Sequence, residues 1–164
     1  SWHKCDITNK EEVDELLTIL KKYDDVKIIY LAAYHKPDLV EQNKELAWNI
    51  NVTCLSYFIN QATFAKAIYY CSTDSVYGDS IDGYHFKEND ELKPVNFYGH
   101  NKCAAEAIMV HLGRNVVRYP FLISPSLCNK PHFYDDIVSA LKEAISNADS
   151  KYKTVIKIDN SYIH

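Results

Sequence analysis

Apolar side chains along the first part of the chain follow two different spacings. Between residues 13 and 20 they recur at helical spacing, behind a Thr8 and Glu11 pair that is typical of a helix capping box. Residues 27–33 (KIIYLAA) form a short, almost wholly apolar run, which predicts a strand buried on both faces. Helical spacing returns over residues 41–64, and a long helix is predicted there.

The rest of the chain continues this alternation of strands and helices. The pattern predicts, in order, a buried strand at 67–72 (AIYYCS), a polar loop at 79–94, a helix at 97–112 stopped by Gly113, a strand at 115–119 (NVVRY), a helix at 134–145 and a strand at 154–158. Buried strands that alternate with helices form parallel sheets through right-handed crossovers. The predicted fold class is therefore α/β, a doubly wound, Rossmann-like parallel sheet.

Composition and charge argue against several classes of protein. A chain of 164 residues, 47% hydrophobic and 24% charged, is sufficient for one globular domain. Its net charge of −4, without a Lys/Arg cluster, argues against a nucleic-acid partner. No apolar stretch approaches the roughly 18 residues of a membrane span, so no membrane partner is expected. Five scattered cysteines predict free thiols and a cytoplasmic location, and no histidine pair has the spacing of a metal site.

Tyr98 and Lys102 are the candidate chemical pair. They lie four residues apart on the predicted helix at 97–112, which places them on one helix face, one turn apart. A phenol with a pKa near 10 is a weak base at neutral pH, and an adjacent cation lowers that pKa. An exposed Tyr and Lys on a solvated surface would show the same spacing, so the pair needs support from other positions.

Polar and small residues follow the first two predicted strands. Thr73 and Asp74 come directly after the second strand, and the L-A-A at 31–33 ends the first. Ligands of open α/β sheets bind outside the carboxyl ends of the strands. Small side chains there let a ligand approach the backbone, so this edge of the sheet is the predicted ligand site.

Several ordered motifs resemble those of the extended short-chain dehydrogenase/reductases. The strongest are S-T-D-S-V-Y-G at 72–78 and N-F-Y-G-H-N-K at 96–102, with L-A-A upstream. Further similarities are C-D-I-T at 5–8, N-I-N-V-T at 49–53, V-R-Y-P at 117–120 and D-N-S-Y-I-H at 159–164. This family includes nucleotide-sugar epimerases, dehydratases and reductases. The resemblance implies an enzyme that uses NAD or NADP and acts on a nucleotide-linked sugar, as in polysaccharide biosynthesis.

The resemblance assigns the catalytic roles to Thr73, Tyr98 and Lys102. Thr73 would hydrogen-bond the sugar oxygen, and Tyr98 would pass a proton to or from that oxygen as hydride moves. Lys102 would lower the pKa of the Tyr98 phenol and bind the hydroxyls of the nicotinamide ribose. The contacts that the family implies are to the cofactor from Asp6, Ile7, Leu31, Ala32, Ala33, Ser72, Tyr98, Lys102 and Tyr119, and to the substrate from His35, Thr73, Asp74 and Ser75.

The reaction stays open between reduction and epimerisation. Residues 93–99 (KPVNFYG) resemble the P-x-N-x-Y-G of dTDP-4-dehydrorhamnose reductases, whereas residues 76–79 (VYGD) resemble the same motif in epimerases. A dehydratase ranks lower, because Ser75 stands where the dehydratases carry the Glu of Thr-Asp-Glu. A non-catalytic regulatory subunit with the same fold is the alternative from another class of protein.

The chain also departs from the family pattern at its start. Its four glycines provide no G-x-x-G-x-x-G loop, and the first βαβ unit of the family is lacking. We therefore expect residues 1–164 to be a partial NAD(P)-binding domain that by itself holds cofactor weakly or not at all, with residues 120–164 beginning the substrate-binding region. The family also implies a homodimer formed through the predicted helices at 41–64 and 97–112.

Overall fold

A computed structural model describes residues 3–79 and 83–119, together with residues 138, 139 and 142. The chain divides into two units after Pro120, and the elements reported below belong to the first. Apart from those three single positions, the predicted substrate-binding region at 120–164 lies outside the described residues, and with it the helix at 134–145, the strand at 154–158 and the D-N-S-Y-I-H motif at 159–164.

Strands and helices alternate along the described chain. In order they are α1 (Lys10–Leu20), β1 (Lys27–Tyr30), α2 (Pro37–Gln42), α3 (Lys44–Trp48), a π-helical segment (Asn49–Cys54), α4 (Leu55–Gln61), β2 (Ala67–Thr73), a 3₁₀ turn (Asp74–Val76), α5 (Phe97–His111) and β3 (Asn115–Tyr119). The strands form one parallel sheet in the order β1-β2-β3, with Lys27 opposite Ala67 and Tyr69 opposite Asn115. The predicted α/β class with a parallel sheet is confirmed.

Helices α1, α4 and α5 pack on one face of this sheet. Because side chains alternate along a strand, Tyr30, Ile68 and Tyr70 point to that face, where they are almost completely buried. They meet apolar side chains of α1, α4 and α5, and the buried cluster is completed by Val13, Leu17, Val26, Leu55, Phe58, Ile59, Ala62, Ala65, Ala105 and Met109. Full burial of one large apolar side chain contributes about 1.5–3 kcal/mol, so this face holds the fold together.

The opposite face of the sheet is open within the described residues, and the prediction of strands buried on both faces is wrong there. Ile29, Leu31 and Tyr69 are 67%, 71% and 40% exposed. β1 also ends at Tyr30 and does not extend to residue 33. An apolar run shows which side chains can be buried, whereas their burial depends on which helices pack against them.

The first helix begins one residue later than the capping-box pattern predicts. Asn9, and not Thr8, supplies the side-chain oxygen that accepts the free N–H groups of Glu11 and Glu12, at 3.1 and 3.3 Å. The hydroxyl of Thr8 instead donates to the carboxylate of Asp6 at 2.8 Å. Thr8 is therefore engaged upstream of the helix, and Asn9 takes the capping position.

The long helix predicted at 41–64 is divided by a break and a π-helical segment. Asn43 leaves the helical conformation with φ −133° and ψ 60°, which separates α2 from α3. The π-helical turn that follows α3 has a wider hydrogen-bonding repeat than an α-helix. Asn51, a polar residue within it, is only 2% exposed.

The helix predicted at 97–112 and the strand predicted at 115–119 are confirmed as α5 and β3. The side chain of Asn96 caps α5 by accepting the N–H of Gly99 at 2.8 Å. Gly113, with φ +64°, adopts the left-handed conformation that ends the helix and turns the chain into β3.

Candidate functional site

The carboxyl end of β2 carries the first predicted catalytic residue. Thr73 is the last residue of the strand, and its hydroxyl oxygen accepts the N–H of Ser75 at 3.2 Å. The same oxygen lies 3.1 Å from a carboxylate oxygen of Asp74 and 3.2 Å from the hydroxyl oxygen of Ser75. Three of the side chains predicted to contact substrate are therefore gathered in one partly buried cluster.

Close packing at Gly99 brings the first turn of α5 to this cluster. A Cβ atom at position 99 would lie 2.8 Å from the Cβ of Pro94 and 2.9 Å from the carbonyl oxygen of Ser75. Real Cβ atoms essentially never approach other atoms so closely, so glycine is what allows the helix to touch the strand end. Tyr98, the neighbour of Gly99, is thereby carried to the same edge of the sheet.

Lys102 is buried between the sheet and α5. It is 4% exposed, and its ammonium donates to the carbonyl oxygen of Cys71 at 2.8 Å. The nitrogen lies 4.6 Å from the centroid of the Tyr70 ring and 5.7 Å from that of the Tyr98 ring. Burial lowers the pKa of Lys102 to about 8, and the interactions with Cys71 and Glu106 offset only part of that effect. The charge of Lys102 is thus much closer to neutralisation than that of an exposed lysine.

The pKa of the Tyr98 phenol moves in the direction opposite to the sequence expectation. Burial, followed by the Asp74 carboxylate, raises the pKa of Tyr98 to about 12. Since the Lys102 ammonium lies on the ring side and donates to Cys71, it does not compensate for the lost hydration of the phenolate. Helical spacing places the two residues on one face but does not determine how deeply that face is buried.

A carboxylate from α2 holds the start of α5. Glu41 accepts the N–H of Phe97 at 2.6 Å, which satisfies a backbone donor that the helix itself leaves free. That hydrogen bond, with further contributions from Lys44 and His100, holds the pKa of Glu41 below its usual range. No local pattern in the sequence marks Glu41, because its partner is 56 positions away along the chain.

Asn51 fixes the segment that follows β1. Its side-chain oxygen accepts the N–H of Tyr34 at 2.8 Å, and its amide donates to the Tyr34 carbonyl oxygen at 3.0 Å. This reciprocal pair holds the backbone between Ala33 and His35, two residues that are expected to contact ligand. The N-I-N-V-T similarity pointed to this segment, and the structure identifies Asn51 as the residue that makes the contact.

The hydroxyl of Ser72 is engaged by a side chain of α5. It donates to the carboxylate of Glu106, which also receives the guanidinium of Arg118. Ser72 was expected among the cofactor contacts, and its side chain is committed to this buried network. Neither Glu106 nor Arg118 was among the predicted site residues, although Glu106 follows Lys102 by four residues and so shares its helix face.

The remaining predicted contacts lie on neighbouring segments. Asp6 and Ile7 precede α1, and the Asp6 carboxylate accepts from both the N–H and the hydroxyl of Thr8. Burial raises the pKa of the Cys54 thiol, and the Asp6 carboxylate adds a smaller contribution in the same direction. The segment with Asp6 therefore lies near the π-helical turn. The other positions, all exposed except the partly buried Ala33, are Leu31, Ala32, Ala33 and His35 after β1 and Tyr119 at the end of β3.

Two classes of feature are not found in the described part of the chain. Residues 3–79 and 83–119 contain no group of three His, Cys, Asp or Glu side chains arranged to hold a metal ion. None of the helices described there combines the length and the apolar character that crossing a membrane requires.

Comparison with known proteins gives a consistent set of relatives. Residues 1–143 match the family described as RmlD substrate binding domain. The chain is 32% identical over 121 residues to methionine adenosyltransferase 2 subunit beta of Danio rerio, covering 73% of this chain and 36% of that protein. It is 33% identical over 115 residues to dTDP-4-dehydrorhamnose reductase of Aggregatibacter actinomycetemcomitans, covering 68% of this chain and 37% of that protein. The chain therefore spans about a third of the length of these relatives.

A solved structure extends the similarity to three dimensions. The chain is similar to dTDP-4-dehydrorhamnose reductase from Bacillus anthracis in complex with NADP, with a TM-score of 0.70 and 29% identity. The similarity covers 85% of this chain and 48% of that one. Together with the family match, it confirms the resemblance to the extended short-chain dehydrogenase/reductases and their Rossmann-like fold.

Proposed function

This chain belongs to the RmlD substrate binding domain family, and we propose that it takes part in hydride transfer between NAD or NADP and a nucleotide-linked sugar. The observation that carries the proposal is the burial of Lys102 beside Tyr98, with its ammonium on the Cys71 carbonyl two residues before Thr73. Burying an ammonium is costly, and strongly shifted titratable groups at a sheet edge are characteristic of functional sites. The reductase relatives support the same proposal.

The residues at this edge fit a dinucleotide cofactor. An ammonium has three N–H donors, and among the described residues the Cys71 carbonyl takes one of them from Lys102. The donors that remain suit the vicinal hydroxyls of a ribose. The cofactor would supply the hydride, while the protein binds it, orients the sugar and handles the proton.

The three predicted catalytic residues divide the remaining work. Thr73, whose hydroxyl is bonded to the Asp74 carboxylate, would hydrogen-bond the reacting sugar oxygen. Tyr98, whose pKa is raised to about 12, holds its proton at neutral pH and can donate it to that oxygen. A phenol kept protonated suits reduction of a sugar carbonyl, so we favour a reductase over an epimerase, and both over a dehydratase, for which Ser75 lacks the required carboxylate.

Replacement of the Tyr98 phenol by a phenyl ring tests this proposal. In the intact protein with NADPH and a nucleotide-linked 4-keto sugar, Tyr98→Phe should lower kcat by about 10²- to 10⁴-fold, because the proton donor is removed. The dissociation constant of NADPH, measured by fluorescence titration, should change little. Tyr84→Phe, which removes a phenol bonded to Asp90 outside the site, is the matched control. Near-normal turnover by Tyr98→Phe would show that the proposed chemistry is wrong.

A second candidate function comes from the similarity to methionine adenosyltransferase 2 subunit beta. On this second hypothesis, the chain belongs to a non-catalytic subunit that binds a methionine adenosyltransferase. A cofactor titration combined with a pull-down against the purified catalytic subunit separates the two functions. Stable capture with no turnover of any nucleotide sugar would favour the subunit, and turnover without capture would favour the reductase.

We further propose that the protein is cytoplasmic and forms a homodimer through the α2–α4 region and α5. The scattered free thiols support the location, since four of the cysteines are unpaired in the described structure. Exposed apolar side chains on α3, Leu46 at 45% and Trp48 at 43%, support the dimer.

A further inference from the structure

An ion pair between a buried carboxylate and a partly buried guanidinium lies behind the candidate site, between α5 and β3. The Glu106 carboxylate is 4% exposed and accepts Nε of Arg118 at 3.0 Å and Nη2 at 2.6 Å. The Ser72 hydroxyl donates to the same carboxylate. Two-pronged pairs of this kind are stronger and more strictly oriented than single hydrogen bonds.

The other arm of the guanidinium reaches the loop that connects β2 to α5. Nη1 of Arg118 donates to the hydroxyl of Tyr77 at 2.7 Å and to the carbonyl oxygen of Glu88 at 2.8 Å. The Tyr77 ring stacks on Phe86, with centroids 4.9 Å apart and planes inclined by 8°. Arg118 therefore joins β3 to both ends of the loop segment at residues 77–88.

These contacts form two parallel links between β2 and α5. Lys102 is bonded to the carbonyl of Cys71, and one helical turn later Glu106 is bonded to the side chain of Ser72. Thr73 is the next residue of the strand. We propose that Glu106 and Arg118 are positioning residues, which set Thr73 at the end of β2 against Tyr98 and Lys102 on α5.

The ion pair between Glu106 and Arg118 affects the geometry of the site more than the stability of the fold. An ion pair with a buried carboxylate contributes little net stability compared with apolar side chains of similar volume, because the carboxylate loses its hydration. Its directional bonds nevertheless fix the strand, the helix and the loop in one relative position. A displacement of about 1 Å between reacting groups can reduce a rate by about a hundredfold. The inference rests on the proposed function to the extent that the positioned residues are the catalytic ones.

Two substitutions in the intact protein test the positioning role. Glu106→Gln removes the negative charge. Arg118→Lys keeps a positive charge but loses the paired hydrogen bonds from Nε and Nη2. Both should lower kcat by about a hundredfold, while KM and the dissociation constant of NADPH stay within about threefold of wild type. Leu17→Ala is the control, because it opens the core at a residue 2% exposed on α1, away from the site, and should leave kcat unchanged.

Ser72→Ala provides a milder variant that removes one hydrogen bond and keeps the ion pair. As a positioning residue, Ser72 predicts a fall in kcat of about tenfold with an unchanged NADPH dissociation constant. As a cofactor contact, it predicts a raised dissociation constant. Unchanged kcat in all three variants, or a loss no larger than that of Leu17→Ala, would overturn the positioning role.

Amide hydrogen exchange separates failure of this inference from failure of the proposed function. If the wild-type protein transfers no hydride, or if Tyr98→Phe stays active, the proposed function fails. The positioning contacts are then judged by exchange in the same variants. Faster exchange at residues 73–75 and 98–102, with residues 10–20 unchanged, would support them, and unchanged or uniformly faster exchange would overturn them.

Discussion

Lys102 and Tyr98 show how burial acts on single side chains at the candidate site. Both pKa shifts favour the neutral form of the group: the pKa of the lysine falls to about 8, and that of the tyrosine rises to about 12. Desolvation penalises a charge of either sign, which explains the common direction. Holding the buried ammonium beside the protonated phenol therefore lowers the free energy of unfolding, and this effect can be measured.

Removal of the buried charge should stabilise the fold at neutral pH. Lys102 has a folded-state pKa of about 8 against an ordinary value of 10.5, so between these pH values the folded protein binds fewer protons than the unfolded one. Wild-type stability therefore rises with pH across that window. We expect Lys102→Met to raise the free energy of unfolding at pH 7 by about 1–3 kcal/mol, after allowance for the lost bond to Cys71.

Urea unfolding of wild type and variant at pH 7 and pH 10 measures this difference. It should shrink at pH 10, where the buried wild-type lysine is largely neutral. Lys66→Met, at an exposed lysine paired with Asp25, is the control and should show little change at either pH. A less stable Lys102→Met at pH 7 would contradict the assigned cost of burial.

The elements around the site are held by contacts between distant parts of the chain. Glu41 of α2 binds the first N–H of α5, and Asn51 of the π-helical segment binds the backbone of Tyr34 after β1. Each contact satisfies polar backbone groups and ties a segment that carries predicted site residues, α5 or residues 31–35, to an element that carries none. A further close contact between elements is at Gly99, where α5 meets the turn after β2.

A methyl group at position 99 should therefore separate α5 from the strand end. Alanine normally stabilises a helix interior by about 1 kcal/mol relative to glycine. Here the added Cβ meets Pro94 and the Ser75 carbonyl at less than 3.0 Å, so we expect Gly99→Ala to destabilise by about 1–3 kcal/mol. Urea unfolding, with turnover measured in parallel, tests this expectation.

Ala107→Gly, at an exposed position of α5, gives the intrinsic effect of the same exchange on this helix and serves as the control. Gly99→Ala should lose stability and turnover together, because Tyr98 moves with the helix. A gain in stability with full activity would mean that the contact is loose.

On the scale of the whole molecule, the described chain is packed on one side of its sheet. The face built on Tyr30, Ile68 and Tyr70 is closed by α1, α4 and α5, while Ile29 and Tyr69 on the other face are exposed within the described residues. The helical layer has its own exposed apolar side chains, among them Leu46 on α3. These positions are where the proposed dimer can be tested.

A charge introduced on α3 should dissociate the proposed homodimer. We expect Leu46→Glu to be monomeric and wild type dimeric in light scattering coupled to gel filtration, because burying an unpaired carboxylate at an interface costs several kcal/mol. Val95→Glu, at a 55% exposed loop position, should remain dimeric. A monomeric wild-type protein, or a dimeric Leu46→Glu, would contradict the dimer through these helices.

Local patterns in the sequence determined β2, α5 and β3, whose bounds agree with prediction to within one residue. These elements are long or strongly apolar, and their ends are marked by residues with local effects, such as Asn96 and Gly113. The parallel sheet followed from their order. The placement of Tyr98 and Lys102 on one helix face followed from the helical repeat alone.

Only the tertiary structure decided the environment of those residues. The direction of the Tyr98 pKa, the burial of Asn51 and the partners of Ser72 and Glu106 depend on segments that lie far apart along the chain. The exposure of Ile29 depends on which helices pack, and the start of α1 on the competition between Thr8 and Asn9 for nearby partners. Hydrophobic spacing is a property of neighbours in sequence, whereas desolvation and hydrogen bonding between elements are set by neighbours in space, and the chemistry of Tyr98 and Lys102 depends on the latter.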